Sequence, residues 1–226
     1  MFFSALRQAF KLLLSGDATL LEIIQLSLIV SSLALLLAAL IGIPLGAWLG
    51  LRRFRGQRWL TAFIYTGMGF PPVVIGLVVY LLLSRQGVLG GLSWLFTPPA
   101  MILAQTILAF PLVAGVTMTA VQGIEADLRI QLRSLGATEW QTVTTILWEA
   151  RQGVIVGLVA GFGAAISEVG AVMLVGGNIE GRTRVLTTAI VLETRQGNFD
   201  FALALGLVLL SLAFVTNGVA VYLQTK

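Results

Sequence analysis

The longest stretches of this chain without a charged residue are long enough to cross a lipid bilayer. Residues 23–51 and 59–84 contain no acidic or basic side chain, and further apolar runs follow. A helix needs about 20 predominantly apolar residues to span the hydrocarbon core, and it satisfies its own backbone hydrogen bonds there. The sequence therefore predicts an all-α, polytopic membrane protein with about five transmembrane helices. The predicted spans are residues 23–51, 59–84, 100–121, 153–177 and 201–223.

Composition excludes several classes of function. The chain is 58% hydrophobic and 11% charged, with a mean hydropathy of +0.97, which is far too apolar for a soluble domain of 226 residues. Histidine and cysteine are absent, so disulfides, zinc sites and triads built on them are ruled out. No phosphate-binding Gly-x-x-x-x-Gly-Lys-Ser/Thr motif occurs. We therefore expect no catalytic residue, metal site, cofactor or ATPase activity in this chain, and the scattered basic residues do not indicate nucleic-acid binding.

Residues 125–151, which we call the elbow, form a polar segment between two apolar runs. Arg129 and Arg133 lie four residues apart and so share a helix face. Gly136 suits a left-handed helix stop, and Thr138 stands at a favourable N-cap position before a second amphipathic stretch that includes Trp140. The pattern predicts two short helices joined by a sharp glycine turn at a membrane surface. By itself it also fits a re-entrant or interfacial hairpin of some other membrane protein.

The second apolar run is interrupted at Gly69, Pro71 and Pro72. Paired prolines remove backbone donors and break a helix. Such a break is tolerated in a membrane only where protein or a water-filled path covers it. The interruption therefore indicates either a gate on a translocation path or a packing kink. Thr117, in the third run, is a further polar side chain at membrane depth.

Ser167 and Glu168 lie near the centre of the fourth predicted span. A carboxylate there costs roughly 2.5–3.5 kcal/mol on insertion scales, so it needs a partner, water or a proton. Glu168 is either part of a functional path or half of a structural ion pair. We favour the ion pair, with Arg182 or Arg184 of the following loop as the expected partner.

Four arginines within seven residues set the expected orientation. Because cytoplasmic loops are rich in Lys and Arg, this cluster marks the cytoplasmic side. The prediction then places the elbow and Lys226 in the cytoplasm and the N-terminus and residues 176–200 outside. Residues 1–22 are expected to form an interfacial segment or a frayed terminus before a permease domain of residues 23–226. The cluster consists of Arg52, Arg53, Arg55 and Arg58.

The elbow resembles the cytoplasmic coupling loop of bacterial ABC-importer permeases. The shared residues are Leu135-Gly136-Ala137, followed ten positions after the glycine by Ile146. The loop departs from the usual pattern at residues 130–132, where Glu-Ala-Ala would stand, and at Trp148-Glu149, where Leu-Pro would stand.

The resemblance extends over nearly the whole chain and is greatest to the tungstate-type permeases among the tungstate and molybdate transporters. It implies the type I importer permease fold. The segments that carry it are Pro71-Pro72-Val73-Val74-Ile75-Gly76, Arg85-Gln86-Gly87-Val88-Leu89-Gly90, Leu103-Ala104-Gln105, Leu147-Trp148-Glu149-Ala150-Arg151, Ile166-Ser167-Glu168-Val169-Gly170-Ala171-Val172-Met173, Val175-Gly176-Gly177-Asn178-Ile179, Thr183-Arg184, Leu186-Thr187-Thr188-Ala189-Ile190 and Leu192-Glu193-Thr194.

This resemblance implies the transmembrane subunit of an importer in a bacterial or archaeal cytoplasmic membrane. Two such subunits would pair with two ATPase subunits, which hold ATP and magnesium, and with an external binding protein. The expected cargo is tungstate, with molybdate, sulfate or vanadate as alternatives. The implied ATPase contacts are Arg133, Leu135, Gly136, Ala137, Thr138 and Trp140. The implied path residues are Gly69, Pro71, Pro72, Thr117, Ser167 and Glu168, and Arg182 and Arg184 would meet the binding protein.

Two classes compete with this interpretation. A self-contained carrier or channel would transport without an ATPase and would normally have more spans than this short chain provides. A membrane enzyme needs a cluster of acid, nucleophile or metal ligands, whereas Glu168 is the sole ionisable residue near the centre of a predicted span.

Overall fold

In the computed structural model, residues 16–124 and 126–224 are described, together with Arg7, Phe10 and Lys11. Within these residues every regular element is helical, which confirms the predicted all-α class. A short 3₁₀ turn, Gly90–Leu92, lies in the loop before α4. The helices are α1 (Ala18–Leu51), α2 (Gln57–Met68), α3 (Pro72–Leu83), α4 (Pro98–Gln122), α5 (Ala126–Ser134), α6 (Glu139–Glu149), α7 (Arg151–Ile166), α8 (Gly170–Gly176), α9 (Leu186–Gln196) and α10 (Phe199–Gln224).

Three of these helices, α1, α4 and α10, are long and apolar enough to cross a membrane on their own. Two further spans are possible if bent pairs each count as one, namely α2 with α3, bent by 102°, and α6 with α7, bent by 69°. The total of up to five equals the predicted number, but the second pair joins α7 to α6, which belongs to the elbow, and not to α8. The break between α2 and α3 falls at the predicted prolines, with Pro71 as the N-cap residue of α3.

Helix α1 begins earlier than predicted. The Asp17 carboxylate accepts a hydrogen bond from the backbone N–H of Leu20 at 2.9 Å, so Asp17 caps the helix and residues 18–22 belong to it. Most of the remaining residues of the predicted interfacial segment 1–22 lie outside the described residues, as does Lys226. At its other end α1 packs closely on α4, where a Cβ added at Gly50 would lie 2.8 Å from Cγ1 of Val121.

The fourth span differs from its prediction. Residues 153–177 were expected to form one helix, but α7 ends at Ile166 and α8 begins at Gly170. The reason lies in Glu168, whose Oε1 accepts a hydrogen bond from the backbone N–H of Ala171 at 2.8 Å. A free first-turn N–H is available only where a new helix starts, so the buried carboxylate is satisfied by interrupting the span.

Helix α4 lies at the centre of the bundle and contacts α1, α2, α3, α7 and α8. Its close packing with α7 depends on small residues, since a Cβ at Gly157 would lie 3.2 Å from Val116 and one at Gly161 would lie 3.0 Å from Val113. Small residues allow such close approach of membrane helices. Helices α9 and α10 form a separate apolar cluster with the first turns of α1. This scaffold holds the elbow at one end of α1 and α4 and the span breaks beside α4.

Candidate coupling elbow and translocation path

The elbow folds as two short helices around a glycine turn, as predicted. Gly136 has a φ of +82°, in the left-handed region that favours glycine. The N–H of Ala137 donates to the carbonyl of Leu132 at 3.0 Å, which closes the end of α5. Thr138 caps α6, because its Oγ1 accepts from the N–H of Gln141 at 3.2 Å while Gln141 Oε1 accepts from the N–H of Thr138 at 2.8 Å.

The elbow is attached to the end of α1 by charged side chains. The Arg129 guanidinium donates to the carbonyl of Leu51, and Glu139 forms ion pairs with both Arg133 and Arg52, the latter at 3.6 Å. These contacts join both elbow helices to one transmembrane helix. A movement of the elbow would therefore act directly on α1.

The tip of the elbow presents apolar side chains to its surroundings. Leu135 is 84% exposed and Trp140 is 76% exposed, although the opposite side of α6 is buried. There Ile146 packs with Ala47 of α1 and Val121 of α4. An apolar tip on a firmly packed base is suited to docking against another protein.

The predicted path residues fall into two groups. The breaks at residues 69–71 and 167–169, which we call the paired breaks, flank helices that pack on each other. A Cβ added at Gly170 would lie 2.6 Å from Cγ2 of Val73, and one at Gly76 would lie 2.5 Å from Cα of Ala171. Thr117 lies apart from this contact, buried between α4 and α1 beside Gly46. Gly69, Pro71, Pro72 and Ser167 are exposed on the single chain, whereas Glu168 is buried.

The expected ion pair of Glu168 with Arg182 or Arg184 is wrong. Arg184 pairs with Glu180 at 3.4 Å, and Glu168 forms no ion pair with a described residue. The carboxylate instead accepts a hydrogen bond from the backbone N–H of Ala171, three residues further along the chain. Burial also distinguishes the two arginines, because the Arg184 side chain is 15% exposed whereas Arg182 is an exposed residue.

Sequence reasoning missed two polar residues that organise these helices. Gln105 of α4 donates from Nε2 to the carbonyl of Ala165 at 2.9 Å, close to the end of α7. Ser27 of α1 accepts from the N–H of Leu186 at 2.8 Å and so caps α9 from a distant part of the chain. A glutamine inside an apolar run is itself a visible signal, but its partner is sixty residues away in sequence. No group of residues suited to hold a metal ion occurs among those described.

Known proteins share this architecture. The structure of a bacterial alginate ABC transporter, in complex with an alginate pentasaccharide-bound periplasmic protein, matches 96% of this chain and 85% of its own chain with a TM-score of 0.76 at 24% identity. A probable anion ABC transporter permease protein of Haloferax volcanii is 47% identical over 88% of both chains. The tungstate uptake system permease protein TupB of Peptoclostridium acidaminophilum is 44% identical over 97% of this chain and 96% of its own.

The bundle of broken spans with an exposed elbow thus has the fold of the membrane subunit of an ABC transporter. Residues 42–226 match the family described as binding-protein-dependent transport system inner membrane components. The chain belongs to this family.

Proposed function

We propose that this chain is the transmembrane subunit of an ATP-driven importer for a tetrahedral oxyanion, with tungstate as the preferred cargo. Two relatives that match nearly its full length support this proposal, since one is named for tungstate and the other for an anion. The family description supports delivery by a separate binding protein. The importer lies in the cytoplasmic membrane of a bacterium or archaeon, with the N-terminus outside and the C-terminus in the cytoplasm.

The observation that carries this proposal is the exposed apolar tip on an elbow tied to α1. In the proposed complex, a groove of the ATPase subunit receives the elbow tip. Binding of ATP and magnesium to the ATPase pair then moves the elbow and, through Arg129 and Glu139, the end of α1. Shifting such an equilibrium almost completely requires about 5.5 kcal/mol of differential binding. The proposed contact residues are Arg133, Leu135, Gly136, Ala137, Thr138 and Trp140.

A homodimer provides the path for the anion. Gly69, Pro71, Pro72 and Ser167 are exposed on one chain, although irregular backbone at membrane depth must be covered by protein or line water. A second copy facing the paired breaks meets this requirement and encloses a path between the two chains. Thr117, buried between α4 and α1, serves this path indirectly by holding the helices that line it.

Glu168 has a separate role in the proposed path. The residue is 9% exposed and its carboxylate caps α8, so Glu168 stabilises the shape of the break and does not bind the anion. On the outer side, exposed Arg182 contacts the binding protein. Arg184 pairs with Glu180 and so supports the loop that carries Arg182.

Substitution at Gly136 tests the coupling role. Valine is strained at the φ of +82°, so Gly136→Val reshapes the elbow turn and should reduce ATP-driven tungstate uptake at least tenfold while the bundle stays folded. Gly197→Val is the matched control, because Gly197 has a φ of +81° and both positions have open space around an added Cβ. Uptake is measured in proteoliposomes that contain this subunit, its ATPase and its binding protein.

Equal loss of uptake in both variants would show that strain anywhere inactivates the protein, and the coupling role would fail. Normal uptake by Gly136→Val would refute it directly. Tungstate accumulation without the ATPase would instead identify a self-contained carrier. Competition by molybdate, sulfate and vanadate in the same vesicles determines the cargo. The proposal requires tungstate to reach half-maximal uptake at a lower concentration than the other three anions.

A further inference from the structure

Two adjoining cavities lie beside the elbow. The larger, with a volume of about 1040 Å³, is bounded by the end of α1, the start of α2, the end of α4 and the elbow. Its lining includes five arginines and one acidic residue, Glu139. The arginines are Arg52, Arg53, Arg58, Arg129 and Arg133.

Most of this positive charge is uncompensated. Glu139 is shared between Arg52 and Arg133, so a single carboxylate faces two guanidinium groups. Arg53 and Arg58 form no ion pair with a described residue, and Arg129 bonds to the Leu51 carbonyl. The Arg129 Nε is buried without a hydrogen-bond partner. The cavity therefore has unfilled capacity to bind an anion.

The smaller cavity, of about 360 Å³, is apolar and lies between α1 and α6. It shares Arg52, Arg129 and Glu139 with the larger cavity, so the two meet at these charges. Its walls are formed mainly by Ile43, Pro44, Ala47, Trp48, Val143 and Leu147. A ligand that fills both cavities needs an anionic end and an apolar end.

We propose that an anionic phospholipid binds here, with its phosphate among Arg52, Arg53, Arg58 and Arg129 and an acyl chain in the apolar cavity. Guanidinium groups match phosphate oxygens in geometry and charge, and basic pockets between membrane helices are suited to such headgroups. A free oxyanion would leave the apolar cavity empty. The lipid would contact α1 and α6 together and so fix the position of the elbow relative to the membrane.

Native mass spectrometry of the purified full-length chain tests this site, with phosphatidylglycerol and phosphatidylcholine titrated separately. We expect saturable binding of phosphatidylglycerol and none of comparable affinity for phosphatidylcholine. The double variant Arg53→Gln/Arg58→Gln should bind phosphatidylglycerol about thirtyfold more weakly, since each arginine near a charged lipid contributes about fivefold. Arg55→Gln is the matched control, because Arg55 belongs to the same arginine cluster but does not line the cavity.

A second variant tests the apolar part. Val143→Trp places an indole in the smaller cavity, so it should weaken binding of long-chain phosphatidylglycerol at least tenfold while leaving the affinity for glycerol phosphate unchanged.

Equal weakening of phosphatidylglycerol binding by Arg55→Gln and by the double variant would overturn the proposal. An unchanged affinity for phosphatidylglycerol in Val143→Trp would also overturn it. Displacement of the lipid by micromolar tungstate or phosphate would assign the cavity to free oxyanions. Loss of bound lipid when the ATPase subunits assemble would assign it to the ATPase interface, and both outcomes contradict a lipid site.

Discussion

The elbow and the paired breaks both interrupt helices, but they satisfy the interrupted backbone by different means. In the elbow, Gly136 turns the chain and Thr138 and Gln141 bond to each other within a few residues. At the paired breaks, the helix end of α7 is bonded by Gln105 of α4, and Thr187 of α9 donates to the carbonyl of Glu168 at 2.7 Å. The turn of the elbow is therefore closed by local bonds, whereas the break at Glu168 also receives bonds from α4 and α9.

The largest expected effect comes from separating α3 from α8. Gly76→Val places a Cβ 2.5 Å from Cα of Ala171, and because that neighbour is backbone, a helix must shift. Overpacking of this kind costs about 1–3 kcal/mol or more. We expect a lower melting temperature in detergent and loss of transport. Gly206→Val in α10 is the control, since an added Cβ there meets nothing within 4 Å, and equal melting of the two variants would contradict the described packing.

The carboxylate of Glu168 provides the next test. Glu168→Leu leaves the buried N–H of Ala171 without its acceptor, which should cost about 1–3 kcal/mol of stability. Glu168→Gln keeps an acceptor oxygen and should lose less than half as much. Unfolding in a denaturing detergent measures both variants. The effect of charge reversal at Arg184 should add independently to either change, because Arg184 pairs with Glu180. A strong coupling energy between positions 168 and 184 would indicate an ion pair between them, which the structure lacks.

This difference explains which features could be predicted from the sequence. Gly136 and Thr138 act on neighbouring residues, so their spacing alone indicated the turn and the cap. Pro71 and Pro72 break a helix whatever surrounds them, and this break was also predicted correctly. The break at Glu168 was not predicted, because an acidic residue inside an apolar run does not by itself end a helix. Its bond to the N–H of Ala171 is local, but Thr187, which donates to the Glu168 carbonyl, is nineteen residues away in sequence. Glu180, the partner of Arg184, is only four residues away, but the sequence did not show that the loop turns these two side chains toward each other.

A smaller effect is expected within the elbow. Thr138→Ala removes the acceptor for the N–H of Gln141, and loss of such a cap costs about 1 kcal/mol. Because this cap acts within the elbow turn, the cost should appear there and not in global unfolding. Hydrogen exchange of the first amides of α6 should accelerate about fivefold. Thr138→Ser should retain near-native exchange, and equal acceleration at the start of α8 would contradict local stability of the elbow.

The smallest expected effect is at Gln105. Gln105→Leu removes the bond from Nε2 to the carbonyl of Ala165, but that carbonyl still accepts from the N–H of Glu168 at 3.3 Å. The substitution also removes the Gln105 Oε1, which is buried without a partner. A lost bond of about 1 kcal/mol is thus offset by removal of an unsatisfied acceptor, and the free energy of unfolding should change by less than about 1 kcal/mol.

Ser27→Ala is the informative comparison, because it leaves the N–H of Leu186 without its acceptor and should be more destabilising. If Gln105→Leu proved the more destabilising of the two, the Gln105 amide would be essential to the break at α7, and the orphaned oxygen would have a partner in the assembled transporter.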